Sequence, residues 1–279
     1  VTLLDAHALK QRFPWISTDG LALGSLGLSM EGWFDPYGLL QALKRKARAQ
    51  GVRYDIGKFG FVGRMYANIE VQQVWHTSPA KTIADVKTKE VVVAGTGNDS
   101  SSYVFPTLLN RMLGMKFKVV PGYQGVAMAT LAMERGEVMG IARPWSLSKT
   151  YRPEWMVEKK IITLTQYVLR RHRELLDVPA VVELGEDELQ KQMLSLYASG
   201  GEIGRSIVTP PGVPSSTLDA LRAAFSAVTR DEKLLEEIRR SGLDFDTLDG
   251  AALQDYVAGV MKTPEAVIAA GRKLMREGE

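Results

Sequence analysis

The chain is predicted to be an α/β protein, and one stretch carries most of that prediction. Val91-Val92-Val93-Ala94 reads as a strand running into a polar turn at 95–102, and an apolar-periodic helix follows. A second strand at 117–120 meets Gly122-Tyr123-Gln124-Gly125 and another helix. That helix ends at Arg135-Gly136, before a third strand at 138–142. Strands alternating with helices of roughly 10–15 residues imply parallel pairing in an α/β layer structure. The sheets are therefore expected to be mainly parallel.

The remaining elements follow from local signals. Asp5 is a helix N-cap, and its helix stops at Phe13-Pro14, because proline disfavours helix in the residue before it. The apolar stretch 21–29 reads as a strand. Asp35-Pro36 places a cap before a proline at the first helical position, opening a helix through Leu39, Leu40, Leu43 and Ala47 to Gln50. Gly51 fits its C-terminal stop, and a strand begins at 52–54. Residues 59–63 and 69–75 read as strands, the second with partial alternation of its faces. Ser78-Pro79 and Thr82 lead into a short helix, and 161–168 and 203–208 are further strands. Pro210-Pro211-Gly212-Val213-Pro214 is a rigid turn, after which Ser215 and Ser216 are expected to cap a helix to Thr229. Residues 231–279 are helix-rich, with breaks near Gly242, Gly250 and Pro264. There is no repeat of solenoid period and no low-complexity tract.

Composition narrows the function classes. A chain of 279 residues can form one large or two modest domains. The 45% hydrophobic and 24% charged content is that of an ordinary folded protein. A net charge of +3 without a concentrated basic patch argues against nucleic acid as a partner. The absence of cysteine removes disulfides, thiolate catalysis and Cys-based metal sites. His7, His76 and His172 lack the short spacings of a zinc site, so no metal or other cofactor is expected. No apolar run approaches the ~20 residues needed to cross a bilayer. No secretory signal is legible, so the chain reads as processed or truncated, or as cytoplasmic if unprocessed.

The candidate site lies where strands end at helix N-termini, whose free N–H groups and dipole attract an anion. In open α/β sheets ligands sit beyond the C-terminal ends of the strands. In the first turn Thr96, Gly97, Asn98, Ser100 and Ser101 are candidate carboxylate contacts through N–H and O–H groups. Asp99 opposes an anion unless it points away, and a plain helix cap needs only Asp99 or a serine. In the second turn Gly122 and Gly125 allow close backbone approach, and Tyr123 offers a hydroxyl or a ring wall. A tight turn with Tyr123 in the core is the structural alternative. Arg143, beside Trp145, could meet a carboxylate bidentately or be a surface arginine next to a packing tryptophan. Neither turn is a dinucleotide fingerprint or a phosphate loop. His76 lacks a nucleophile elbow or triad context, and Glu134/Glu137 read as a solvated face. Arg170-Arg171-His172-Arg173, amid acidic neighbours, reads as surface. With no catalyst in view, the chain is expected to be a binding protein, not an enzyme.

Two family resemblances meet near Gly57. Trp75-His76-Thr77-Ser78-Pro79 with Lys81-Thr82, residues 93–97, 117–125 and 131–138, Asp177-Val178-Pro179 and residues 210–214 keep their order and spacing. Through them, residues 58–279 resemble the substrate-binding receptors of tripartite tricarboxylate transporters, the TctC/Bug type. That resemblance implies a periplasmic-binding-protein-like two-lobed fold, closing on a small organic carboxylate held largely by backbone groups of two strand-to-helix loops. It also implies periplasmic localisation and, as partners, the membrane subunits of such a transporter. The loop from Thr96 to Ser102 maps onto one of the two. The other lies in an N-terminal segment absent here, so the N-terminal lobe is expected to be incomplete or rearranged. At the end of the third strand, where an aspartate is common in the family, this chain has Met139 before Gly140. Residues 1–57 resemble a different family. Phe13-Pro14-Trp15, Glu31-Gly32-Trp33-Phe34-Asp35-Pro36 and Gly51-Val52-Arg53-Tyr54 look like FAD-dependent oxidoreductases of the D-amino-acid oxidase type. The flavin-binding glycine turn is missing, so no flavin site carries over. The alternatives are a fragment or relative of such an oxidoreductase, or a ligand-free fusion relic.

Overall fold

A computed structural model of the chain describes residues 2–14, 17–19, 23–26, 43, 45–47, 49–51, 55–98 and 100–276. The chain divides into two compact units, Val1–Tyr54 and Asp55–Glu279.

In the first unit, β1 (Thr2–Asp5) pairs antiparallel with β2 (Leu23–Leu26). Between them α1 (Ala6–Arg12) starts where Asp5 accepts the Ala8 N–H at 2.7 Å, and it ends at Phe13, before Pro14. Of the strand expected at 21–29, Leu23–Leu26 is described. Of the helix expected to Gln50, residues 43, 45–47 and 49 are described and are helical. The motif at 31–36 and the strand at 52–54 lie outside the described residues.

The second unit holds two sheets. The larger runs β6-β5-β7-β4-β8, built from β4 (Glu70–Trp75), β5 (Val91–Ala94), β6 (Phe117–Val120), β7 (Gly140–Pro144) and β8 (Ile161–Gln166). β5 pairs parallel with β6 and β7, the stretch predicted from the strand–turn–helix alternation. β4 is antiparallel to both β7 and β8, so the sheet is mixed rather than mainly parallel, with parallel pairing confined to β5, β6 and β7. The reason is its connection. β4 follows β3 (Gly60–Tyr66) through the short link 67–69 rather than through a crossover helix, and only a crossover returns a strand in parallel. The third strand sits two residues later than expected.

β5 is an almost continuous apolar run because helices cover both faces of the sheet. On one face α2 (Ser101–Leu113) and α6 (Glu188–Ile203) enclose Val93, Phe105, Leu108, Leu109 and Leu194. On the other, α3 (Val126–Glu134) brings Ala129 and Met133 against Ala94, Ile141 and Trp155.

The smaller sheet, β10-β3-β9, is antiparallel throughout, with β9 (Arg205–Thr209) and β10 (Leu248–Asp249) flanking β3. α7 (Ser215–Val228) packs so tightly on it that a Cβ at Gly63 would lie 2.2 Å from the Phe225 ring. Phe61, Leu253 and Val257 form the cluster under α9 (Gly250–Val260). The α7 cap is Pro214, with no side-chain bond, rather than Ser215 or Ser216. The helix expected after Thr82 is a single 3-10 turn at Ala84–Lys87.

The chain passes between the sheets twice, at 67–69 and at Gly204. The two passages touch, since the Asn68 N–H donates to the Gly201 carbonyl at 2.9 Å.

Candidate functional site

β5, β6, β7 and β8 all point the same way, so their C-terminal ends and the start of β4 share one edge of the larger sheet. This edge carries the turns at 95–102 and 121–125, together with Glu70 and the run 167–173.

The two turns lie side by side because Ala94 pairs with Val120. Backbone bonds join them: the Gly95 N–H donates to Val120 O at 2.8 Å and the Tyr123 N–H to Gly95 O at 3.2 Å. In the first turn the organising residue is Ser102, which sequence reasoning left out. Its Oγ accepts the Thr96 N–H at 2.9 Å and lies 3.0 Å from Thr96 Oγ1 and 2.8 Å from Ser100 Oγ. Ser100 Oγ also donates to Gly97 O at 2.6 Å. The Thr96 amide and the Ser100 hydroxyl, both expected to face a ligand, are thus turned inward to shape the loop. Among the described residues, the N–H groups of Gly97, Asn98 and Ser101 have no hydrogen-bond partner. Asn98 is exposed, whereas Thr96, Gly97, Ser100 and Ser101 are half-buried. A signal for Ser102 existed: it shares the inward helical face of Phe105 and Leu109.

In the second turn the glycines are required by conformation. Gly122 and Gly125 have φ of 103° and 91°, in the left-handed region that side chains avoid, with open space where a Cβ would stand. Gly125 leads directly into α3. Tyr123 packs its ring against the core cluster around Ala94 and Met133, as in the structural alternative.

Glu70, at the start of β4, stands behind the first turn. It is only 9% exposed. Asn68 Nδ2 donates to its Oε1 at 3.1 Å, while Oε2 is buried without a hydrogen-bond partner. Burial pushes its pKa up; Asn68, Ser101 and the charge of Arg205 pull the other way without cancelling the effect. Burial thus disfavours the charged form of this carboxyl.

Arg143 corrects an expectation. It is fully buried within the sheet–helix layer rather than the surface arginine of the alternative reading. Its Nε donates to Gln73 Oε1 at 2.8 Å, an oxygen that also accepts from Ser148 Oγ at 2.8 Å. The guanidinium carbon lies 5.5 Å from the centre of the Trp155 ring, and Nη2 has no partner. Burial lowers its pKa to about 10, so it stays charged at neutral pH. Trp145 donates instead to Glu174 Oε2 at 2.7 Å. Among the described residues no cluster of three metal-ligating groups occurs, and no helix is long and apolar enough to cross a membrane.

Comparison with known proteins agrees with this architecture. No family model matches the chain. A TctC solute binding protein from Polaromonas, solved with no ligand, superposes with a TM-score of 0.57 at 19% identity, over 80% of this chain and 74% of that one. MatC from Rhodopseudomonas palustris with bound malate gives 0.50 at 19% identity, over 80% and 72%. An R. palustris protein with adipate gives 0.50 at 20%, over 79% and 69%. At these identities the likeness establishes the fold, that of two-lobed periplasmic binding proteins. Short segments also match FAD-dependent oxidoreductase domain-containing protein 1, at 50% identity over 58 residues in Bos taurus and 58% over 52 in Xenopus laevis. These matches span 21% and 19% of this chain, and only 12% and 10% of the relatives' length.

Proposed function

We propose that the chain is a solute-binding receptor for a small organic carboxylate. The single observation carrying this reading is the pair of adjoining strand-to-helix turns, Thr96–Ser101 and Gly122–Gly125, at the C-terminal edge of a periplasmic-binding-protein sheet. The N–H groups of Gly97, Asn98 and Ser101, without a partner among the described residues, supply donors at the α2 N-terminus. Malate and adipate, bound by two proteins of the same fold, are carboxylates of the size such turns would hold. Periplasmic residence and delivery to the membrane subunits of a tripartite transporter belong to the same proposal.

The test is thermal melting with a panel of dicarboxylates, tricarboxylates and FAD. Ligand at 100 times Kd adds about 2.7 kcal/mol of stability, a visible shift. A shift with one carboxylate class that is lost in Gly97→Pro or Ser101→Pro, each of which deletes one of these N–H groups, supports the reading. A cooperative melt that no carboxylate moves would sink it, and a shift with FAD alone would favour the oxidoreductase relationship.

A further inference from the structure

We infer that a cavity of about 280 Å³ beside the two inter-sheet passages is a second binding site, suited to a small organic anion with an apolar body. Its size falls near the lower end of small-molecule pockets, about 300 Å³. Ala67, Ile69, Val168 and Ala198 supply apolar lining, and Arg170, His172 and Arg173 line it as well. The basic run that reads as solvated surface in the sequence therefore borders a half-open pocket.

The charges are arranged to leave this lining cationic. Two acids also face the cavity, Glu202 and Asp246, but Arg64, itself 5% exposed, bonds both, at 3.1 and 2.8 Å. Arg171 is committed elsewhere, holding Glu183 through Nε and Nη2 and donating to Leu176 O. Arg170 and Arg173 have no hydrogen bond or ion pair among the described residues. The loop that carries them is fixed by the fully buried Gln166, which accepts the His172 N–H at 2.7 Å and donates to Leu175 O and Val178 O at 2.9 and 2.7 Å. The Glu174 N–H meets His172 Nδ1 at 3.3 Å, which leaves Nε2 as the ring's donor. Two uncommitted guanidiniums and an imidazole donor recognise an oxyanion, and the aliphatic lining recognises the body attached to it. Inorganic anions satisfy only half of these contacts.

The experiment is isothermal titration of the full chain at low salt, with benzoate as probe and inorganic phosphate as comparator. Benzoate is expected to bind more tightly than phosphate, and its affinity to fall at least tenfold in Arg170→Ala/Arg173→Ala. Both arginines are exposed, so the double variant should keep the parent melting temperature. The same titration on Ser101→Pro separates this site from the turns of the proposed receptor, because binding here should persist in that variant. Absence of benzoate binding, equal affinity in the double arginine variant, or phosphate matching benzoate would each overturn the inference.

Discussion

Asn68 donates through Nδ2 to Glu70 Oε1 at 3.1 Å, while the second carboxylate oxygen is buried and has no hydrogen-bond partner. A carboxyl in this position favours its protonated form, and burial duly raises its pKa from 4.5. The stability it contributes is fully present below pH 4.5 and is lost as pH rises through the folded-state value. Glu70→Gln keeps the acceptor for Asn68 and removes the buried charge. It should therefore stabilise the protein at pH 7, with the gain fading below pH 4.5. Thermal melts of both proteins across pH 3.5–8 check this, and equal gains at every pH would contradict it.

Ser102 holds the first turn closed. Ser102→Ala removes the acceptor of the Thr96 amide and a partner of two hydroxyls. Leaving such groups unsatisfied costs about 1–3 kcal/mol, so chemical denaturation should show a loss in that range. Carboxylate affinity should fall with it, because the free N–H groups lose their fixed geometry.

Arg143 should contribute specificity of packing rather than ligand contact. Its charge is buried without an acidic partner, and Gln73 Oε1 retains Ser148 if the guanidinium is removed. Replacing buried charge by apolar side chains of similar volume is often stabilising by about 1–4 kcal/mol, so Arg143→Met should raise the denaturation midpoint. A marked loss of carboxylate affinity in a variant that melts normally would instead return Arg143 to the site.

Gly204 is the tightest point of the second passage between the sheets. Its φ is 53°, and a Cβ would lie 2.2 Å from Tyr66 O, a backbone atom that cannot step aside. Gly204→Ala should cost on the order of 2 kcal/mol or more. Hydrogen exchange should place the loosening first at the neighbouring 67–69 passage, because Asn68 is bonded to Gly201.

Much of the fold was legible locally. The apolar run Val91–Ala94, ending in a polar turn before a periodic helix, read as a strand. Asp5 and the Phe13-Pro14 stop mark α1 with one residue type each. Gly122 and Gly125 announce a tight strand-to-helix turn. Cap geometry was less legible: at α7 a proline took the place expected of a serine, because hydroxyl capping depends on how the preceding chain arrives.

The sequence by itself determined the α/β class, the three parallel strands and the two turns at their ends. Those features rest on periodicity, glycine conformation and helix termini, which act within a few residues. Tertiary structure decided what long-range contact governs. It made β4 antiparallel by feeding it from another sheet and turned Thr96 and Ser100 inward onto Ser102. It also buried Arg143 beside Gln73 and Trp155. The run Arg170–Arg173, ordinary in sequence, came to border a cavity only because Gln166, Asn68 and Gly201 are brought together from distant parts of the chain. Burial and pairing across such separations leave no local pattern, and so they could be read only from the folded molecule.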